Sequence, residues 1–413
     1  MDGAIFLRWL AGGLALLSGA TIAVNVAVDP YGAFRVVTLP GWNTLKYTER
    51  SRVGKSHAFA DSDADAVILG NSRPERGLDP RHPAWGVRRA FNLALSGSRI
   101  TEVRDIFAFA SRNRPLRQVL LVADIDLFLC DDPPGVVDES YLPSLFNPHR
   151  DPLQCFLTLA LSWSASGDSW GTLSRNRRGE IPEFTRGFLI TAPPSLTTPQ
   201  REIFLGPRAE AYFIGKTYFA ADDRRPPGID RFVEIVDECR RRQLPTTVLI
   251  SPVHARHLEG IRTTGMWPVF EAWKRDLVRA TAGGGDAPSI PLFDFTTYAG
   301  YCAEDLPAAA DMITKMQWWI EVSHYTKPLG DLMLARVLGG WDGRDSANPQ
   351  APPFGILLTS DTMEARLQSI RREREEYARR HPDDIREVAA MAERTREMRE
   401  RVRSRWGVRH DIR

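Results

Sequence analysis

A serine, a histidine and a glutamate, set in widely separated loops, are the chain's clearest chemical resource. Ser72 follows the apolar run Ala66-Val67-Ile68-Leu69 and Gly70, within the stretch ADAVILGNSR. In an open α/β sheet, ligands meet the protein outside the carboxyl ends of the strands, so a serine there is a candidate nucleophile. The same Asn71-Ser72 pair also suits a turn that caps the next helix. His324 lies far downstream with Glu321 three residues before it, so one loop can supply a base and its orienting acid. Such a set fits acyl transfer: the hydroxyl attacks a carbonyl carbon, the imidazole takes its proton, and the carboxylate holds the imidazole in the right tautomer. Asp294, at another strand end, is a rival for the acid, and His324 could instead cap the helix that follows it. His254 and His257 are three apart with no acid pair nearby, which is weak metal-ligand spacing. No metal or other cofactor is expected, and His254 is read as pocket-lining. Gly54-Lys55-Ser56 ends like a phosphate-binding loop, but Glu49 stands where the earlier glycine is needed, and no apolar strand precedes it.

The elements that must position these residues follow an alternating pattern. Ala66–Leu69 predicts a first strand, Arg89–Leu95 a second, Gln118–Ala123 a third, Thr246–Ser251 a fourth and Pro291–Phe295 a fifth. Helical spacing over Ile100–Arg112, Ile229–Arg242 and Val269–Ala280 separates them, which indicates parallel crossovers. Trp273 and Phe270 on the last of these are expected in the core. Pro328 fits the first turn of a helix bearing Leu329, Leu332, Met333 and Val337, so His324 falls in the loop before it. The fold class expected is α/β, a three-layer sandwich around a mostly parallel sheet of about five strands. Between about residues 131 and 227 the periodicity lapses into Pro, Gly, Ser and Arg, read as an insertion over one sheet edge.

The chain's 413 residues carry 54 basic and 52 acidic side chains, a balance that gives no support for nucleic acid as a partner. Cys130, Cys155, Cys239 and Cys302 lack CxxC spacing, so they do not suggest a zinc site, and the choice between disulfides and buried thiols stays open. Trp9 to Val28 is a run of twenty residues without a charge, about 30 Å as a helix and enough to cross a bilayer core. It is read as an uncleaved anchor over residues 1–30 rather than a signal peptide. Arg8 favours a cytoplasmic amino end, with the body on the far side. Beyond residue 346, a linker (Ala347–Pro353) and a densely charged tail are expected. Asp361 and Glu364 are read as the capping pair of one helix, and His381-Pro382 starts another. The tail is read as a helix pair packed on the body, or else as a partner-binding hairpin.

In order, Gly70-Asn71-Ser72-Arg73, Asn92-Leu93-Ala94-Leu95-Ser96-Gly97 and Glu321-Val322-Ser323-His324 resemble the blocks of the SGNH/GDSL hydrolase superfamily, over roughly Ala64 to Leu338. With the anchor and Val28-Asp29-Pro30-Tyr31-Gly32, the chain is similar to a membrane-anchored, extracytoplasmic bacterial branch that includes alginate O-acetylation and D-alanyl-lipoteichoic acid assembly proteins. The resemblance implies Ser72 as nucleophile, His324 as general base, Glu321 in place of the usual aspartate, and an oxyanion hole from the N–H groups of Ser72 and Gly97. Asn71 and Arg73 replace the usual Asp and Leu. Asp126 stands where the superfamily supplies an asparagine donor; it is protonated, or serves another role, or weakens the site by up to about 3 kcal/mol.

The expected organisation is an anchor (1–30), an SGNH-like domain (31–345) and a linker with helical tail (346–413). The expected function is a periplasmic serine esterase or O-acyltransferase of the bacterial inner membrane. It would act on acyl esters, acetyl in the first instance, of a cell-envelope or exported polysaccharide, with a membrane acyl donor as a possible partner. Asn71, Arg73, Asn92 and His254 are expected to line its substrate pocket. The alternative is a non-catalytic assembly factor that docks a partner through its C-terminal helices.

Overall fold

The computed structural model describes residues 3–46, 50–128, 140–190, 200–205, 228–284, 288–308, 311, 313–344 and 353–406. In chain order the elements are α1 (Gly3–Val28), α2 (Ser51–Asp61), β1 (Ala66–Leu69), α3 (Ser72–Gly77), β2 (Ala90–Asn92), α4 (Ile100–Asn113), β3 (Gln118–Val122), α5 (Pro152–Ala160), α6 (Trp163–Arg177), β4 (Phe184–Thr185), β5 (Phe188–Leu189), α7 (Gln200–Leu205), α8 (Ile229–Arg241), β6 (Thr246–Ile250), α9 (Ala255–Thr263), α10 (Trp267–Thr281), β7 (Leu292–Asp294), α11 (Lys327–Leu338), β8 (Ile356–Leu358), α12 (Met363–Arg380) and α13 (Pro382–Trp406).

Two compact units divide the chain. One holds residues 65–104, 116–131 and 191–413. Its sheet has six strands in the order β2-β1-β3-β6-β7-β8. The first five run parallel, with Val67 opposite both Phe91 and Val119, Leu121 opposite Val248 and Leu249 opposite Phe293. Strands β1 and β3 are buried at every position, as unbroken apolar runs in a parallel sheet should be. Ala66, Ile68, Leu120, Val122 and Leu249 share one core with Trp319, Tyr325, Leu329 and Met333. Phe128, Phe232 and Trp273 form an aromatic cluster, and Trp273 is fully buried, as expected.

The sixth strand corrects the expectation of about five. β8 pairs antiparallel with β7, Phe293 opposite Leu357, and it lies in the stretch read as linker and tail. Most of the expected linker falls outside the described residues. The capping pair is also different: Thr362 is the N-cap of α12 with no side-chain cap, and Glu364 instead pairs with Arg275 of α10. Tail helices α12 and α13 are built into this unit. Met363, Leu367, Ile370, Tyr377, Val388 and Met391 are buried. Arg371–Glu271, Arg374–Glu259 and Arg256–Glu387 ion pairs tie both helices to α9 and α10.

The other unit holds residues 1–64, 105–115 and 132–190. Helix α1 is long and apolar enough to cross a membrane. Its final turn is pinned by polar contacts: Asn25 Nδ2 donates to the Ala160 carbonyl (3.0 Å) and to Ser166 Oγ (3.1 Å), while Ser169 Oγ donates to Asn25 Oδ1 (2.8 Å). Asn43 Nδ2 caps the helix end on the carbonyls of Ala27 and Val28. The 131–227 stretch is therefore not all irregular, since α5 and α6 are regular helices packed beside α1. Gly54, Lys55 and Ser56 lie inside α2. Cys155, Cys239 and Cys302 are buried and free; Cys130 is outside the described residues.

Candidate active site

β1 delivers Ser72 through a turn that only glycine permits. Gly70 has φ +150°, and a Cβ there would stand 2.8 Å from Pro74 Cγ and 2.9 Å from Val122 Cβ on the adjacent strand. Asn71 then caps α3, its Oδ1 accepting the Arg73 N–H (3.0 Å), and Ser72 is the first residue of the helix. An N–H in a first helical turn has no intrahelical acceptor, so that of Ser72 is available to a ligand.

Glu321 and His324 sit on a small hairpin between residues 318 and 326. Trp319 bridges Tyr325, the Ile320 N–H donates to the His324 carbonyl (2.9 Å), and the Thr326 N–H donates to the Trp318 carbonyl (2.9 Å). Across this hairpin, Glu321 Oε1 faces His324 Nδ1 and also accepts the His324 N–H (2.8 Å), while Oε2 accepts the Ser323 N–H (3.0 Å). His324 Nε2 lies 2.7 Å from Ser72 Oγ. The carboxylate at Nδ1 fixes the proton there, which leaves the Nε2 lone pair toward the serine hydroxyl. Burial works against the charged form of Glu321, but the His324 hydrogen bond and charge, the Ser323 N–H and the Arg73 cation outweigh it and hold the carboxyl below its usual range.

Ser72 and the hairpin are brought together by an approach of backbones. A Cβ on Gly77 would stand 1.9 Å from Tyr325 Cε2, and a Cβ on Gly330 1.7 Å from the Gly77 carbonyl oxygen. Helix α3, which starts with Ser72, and α11, which follows His324, can therefore meet closely only because both residues are glycine.

Arg73 joins the same parts electrostatically. Its guanidinium is 3% exposed and reaches four groups. Nε donates to the Ser323 carbonyl (3.0 Å), Nη2 donates to Ser323 Oγ (2.8 Å), Nη1 pairs with Asp124 (3.1 Å) and Nη2 pairs with Asp126 (2.6 Å). Asp124 in turn accepts the Ser251 N–H (2.8 Å) from the end of β6. Arg73, expected at the substrate pocket, is thus turned inward. Asp126, for which a protonated donor, another role and a weakened site are the expected alternatives, is placed as the acceptor of an ion pair, a role in which a carboxylate donates nothing.

The remaining expected residues divide. Gly97 lies on an exposed turn at φ +70°, and its N–H has no acceptor among the described residues. That turn is tied to the β1 exit by the Leu95 N–H and Ser98 Oγ, both donating to the Gly70 carbonyl (3.1 and 3.0 Å). Asn71 is buried and occupied as a cap. Asn92 and His254, also expected in the pocket, are fully buried instead. Asn92 Nδ2 donates to the carbonyls of Pro74 (2.7 Å) and Leu78 (2.9 Å), fastening α3 to β2. His254 supports the hairpin from behind: its N–H donates to the Val322 carbonyl (3.1 Å) and its ring meets Trp319 edge-on at 5.7 Å. The rival acid Asp294 is held by Lys274 Nζ at 2.7 Å, with Thr296 and Arg366 beside it.

What this arrangement can do is let His324 take the proton of Ser72 Oγ and so make that oxygen a nucleophile. No family model matches the sequence, and no curated protein matches it.

Proposed function

We propose that this chain is a membrane-anchored serine esterase or O-acyltransferase of the SGNH type, with the three-layer α/β sandwich of that superfamily. The observation that carries the reading is the continuous line Ser72 Oγ–His324 Nε2, His324 Nδ1–Glu321. Ser72 Oγ attacks the acyl carbon of an ester while His324 Nε2 takes the hydroxyl proton. Ionised Glu321 stabilises the imidazolium that forms. The N–H groups of Ser72 and Gly97 meet the tetrahedral oxyanion. As the C–O bond to the alcohol breaks, His324 returns its proton to that oxygen, leaving the acyl group on Ser72. Water or a sugar hydroxyl then repeats the sequence in reverse. The substrate class is an acylated cell-envelope or exported polysaccharide, and α1 anchors the protein in a bacterial inner membrane with the body on the periplasmic side. Met363, Leu367 and Ile370 of α12 and Val388 and Met391 of α13 are buried, which favours this reading over a scaffold that docks partners through its tail.

The test is hydrolysis of an activated acetyl ester by the full chain, with mass-spectrometric trapping of the acyl-enzyme. Ser72→Ala should lose both the added acetyl mass and the turnover. If Ser72→Ala matches the parent in both assays, the reading is wrong.

A further inference from the structure

The α1 unit exposes apolar side chains well beyond α1 itself. On α5, Leu153 (67% exposed), Phe156 and Leu157 occupy positions i, i+3 and i+4, one face of the helix, and all three face outward. On α6, Trp163 (93% exposed) and Trp170 (68% exposed) are two turns apart on another outward face. Among the described residues of the other unit, the exposed large apolar side chains are Val87, Ile313 and Leu357. Patches this concentrated mark an interaction surface.

Three observations say what covers it. The first is level. Asn25, in the last full turns of α1, is bound by Ala160, Ser166 and Ser169, so the α5–α6 junction stands where a helix of this length leaves the hydrocarbon core. The second is residue type. Tryptophan favours the lipid headgroup region, and Leu and Phe favour the acyl boundary just beneath it. The third is charge. Arg150 precedes α5 and Arg177 ends α6, both exposed, where they suit anionic headgroups; Arg178 beside them pairs with Glu180 (2.6 Å). Between them Asp168 is turned to the Tyr31 hydroxyl and Arg50.

We infer that the outward faces of two helices, α5 with Leu153, Phe156 and Leu157 and α6 with Trp163 and Trp170, lie in the lipid–water interface of the bilayer that α1 crosses. The inference rests on the proposed anchoring by α1. The protein is then held by a span and a second, in-plane contact, and cannot swivel freely about a single helix.

The test uses the full chain in liposomes of phosphatidylethanolamine and phosphatidylglycerol, at less than one protein per vesicle so that self-association cannot cover the patch. With the four native cysteines replaced, an environment-sensitive dye is attached at Leu157→Cys, at Leu14→Cys within α1, or at Leu357→Cys as a water-exposed control. Circular dichroism checks that each variant folds. The expected result is blue-shifted emission at position 157, quenched about two-fold by spin labels near the lipid headgroup and less by labels deep in the chain. Position 14 should be quenched by the deep labels, and position 357 by neither. Quenching at 14 with water-like emission at 157 overturns the inference and leaves the anchor intact. Water-like emission at 14 overturns the anchor, and with water-like emission at 157 it removes the interfacial contact too. Quenching at 157 alone discards the span and overturns the inference with it, because the contact is then with a bilayer that α1 does not cross. If emission at 157 shifts only when several proteins share a vesicle, the face is covered by a second copy and the inference fails.

Discussion

Arg73 is the residue on which the site's electrostatics turn. A guanidinium carries five donors in a fixed fork, and here they serve Asp124, Asp126 and Ser323 at once. Arg73→Leu would leave buried carboxylates without their cation, and breaking such a pair costs about 3–5 kcal/mol. Urea unfolding should show that loss, together with a lower kcat because the hairpin loses its hold on Ser323. Asp126 offers a sharper test. If its charge were weakening an oxyanion hole, Asp126→Asn would restore a donor and raise kcat. The ion pair with Arg73 predicts instead that kcat for the acetyl ester stays level or falls and that stability drops. Glu321→Gln should keep the hairpin but favour the wrong imidazole tautomer, lowering kcat by roughly 10³–10⁴-fold with little change in KM. The types of these residues are plain in the sequence, and so is the nearness of Glu321 to His324. The pairing of Arg73 with Asp126 is not, because it joins residues from different strand ends. Asn92 and His254 mislead for the same reason: each is a polar side chain whose partners are backbone groups brought up by the fold.

At the level of elements, the site depends on how closely α3 and α11 approach. Gly330→Ala puts a methyl group against the Gly77 carbonyl, and backbone cannot yield as a flexible side chain can. The expected cost is about 1–3 kcal/mol, as for other overpacking changes, with a kcat loss larger than the stability loss implies because Ser72 and His324 move apart. Thermal melts and kcat measured on the same preparation check this. The parallel strands were readable because AVIL, QVLLV and TTVLI are apolar runs with no other good use. β8 escapes because it is three residues long, antiparallel and preceded by a proline-rich stretch. α6 escapes because WSASGDSWG has small residues where a stripe would be, its packing resting on hydrogen bonds to Asn25. The Gly77–Gly330 approach leaves no sequence signal beyond two ordinary glycines.

For the molecule as a whole, acid stability should report on His254. Burial pushes its imidazole down to about 4, and Nε2 at the Glu304 carbonyl with Nδ1 toward the Arg256 N–H suits a neutral ring. The unfolded chain binds that proton near pH 6.5, so the contribution is full above that pH and is lost as pH falls toward 4. The loss is roughly 3 kcal/mol at about 1.4 kcal/mol per unit. His254→Gln should flatten this part of a stability–pH curve, measured by denaturant midpoints. Removing residues 359–413 should unfold the body rather than merely release a partner, since Arg366 reaches buried Asp294 and α12 supplies Leu367 and Ile370 to the interior; circular dichroism distinguishes the two outcomes. That dependence has a consequence in time. Synthesis proceeds from Ser72 through His324 before it reaches β8, α12 and α13. A nascent chain therefore holds its complete reactive set while the last strand and its covering helices are still unmade. On the proposed reading, ester chemistry must wait until those last elements are made, so a product truncated before β8 bears Ser72, Glu321 and His324 and remains silent.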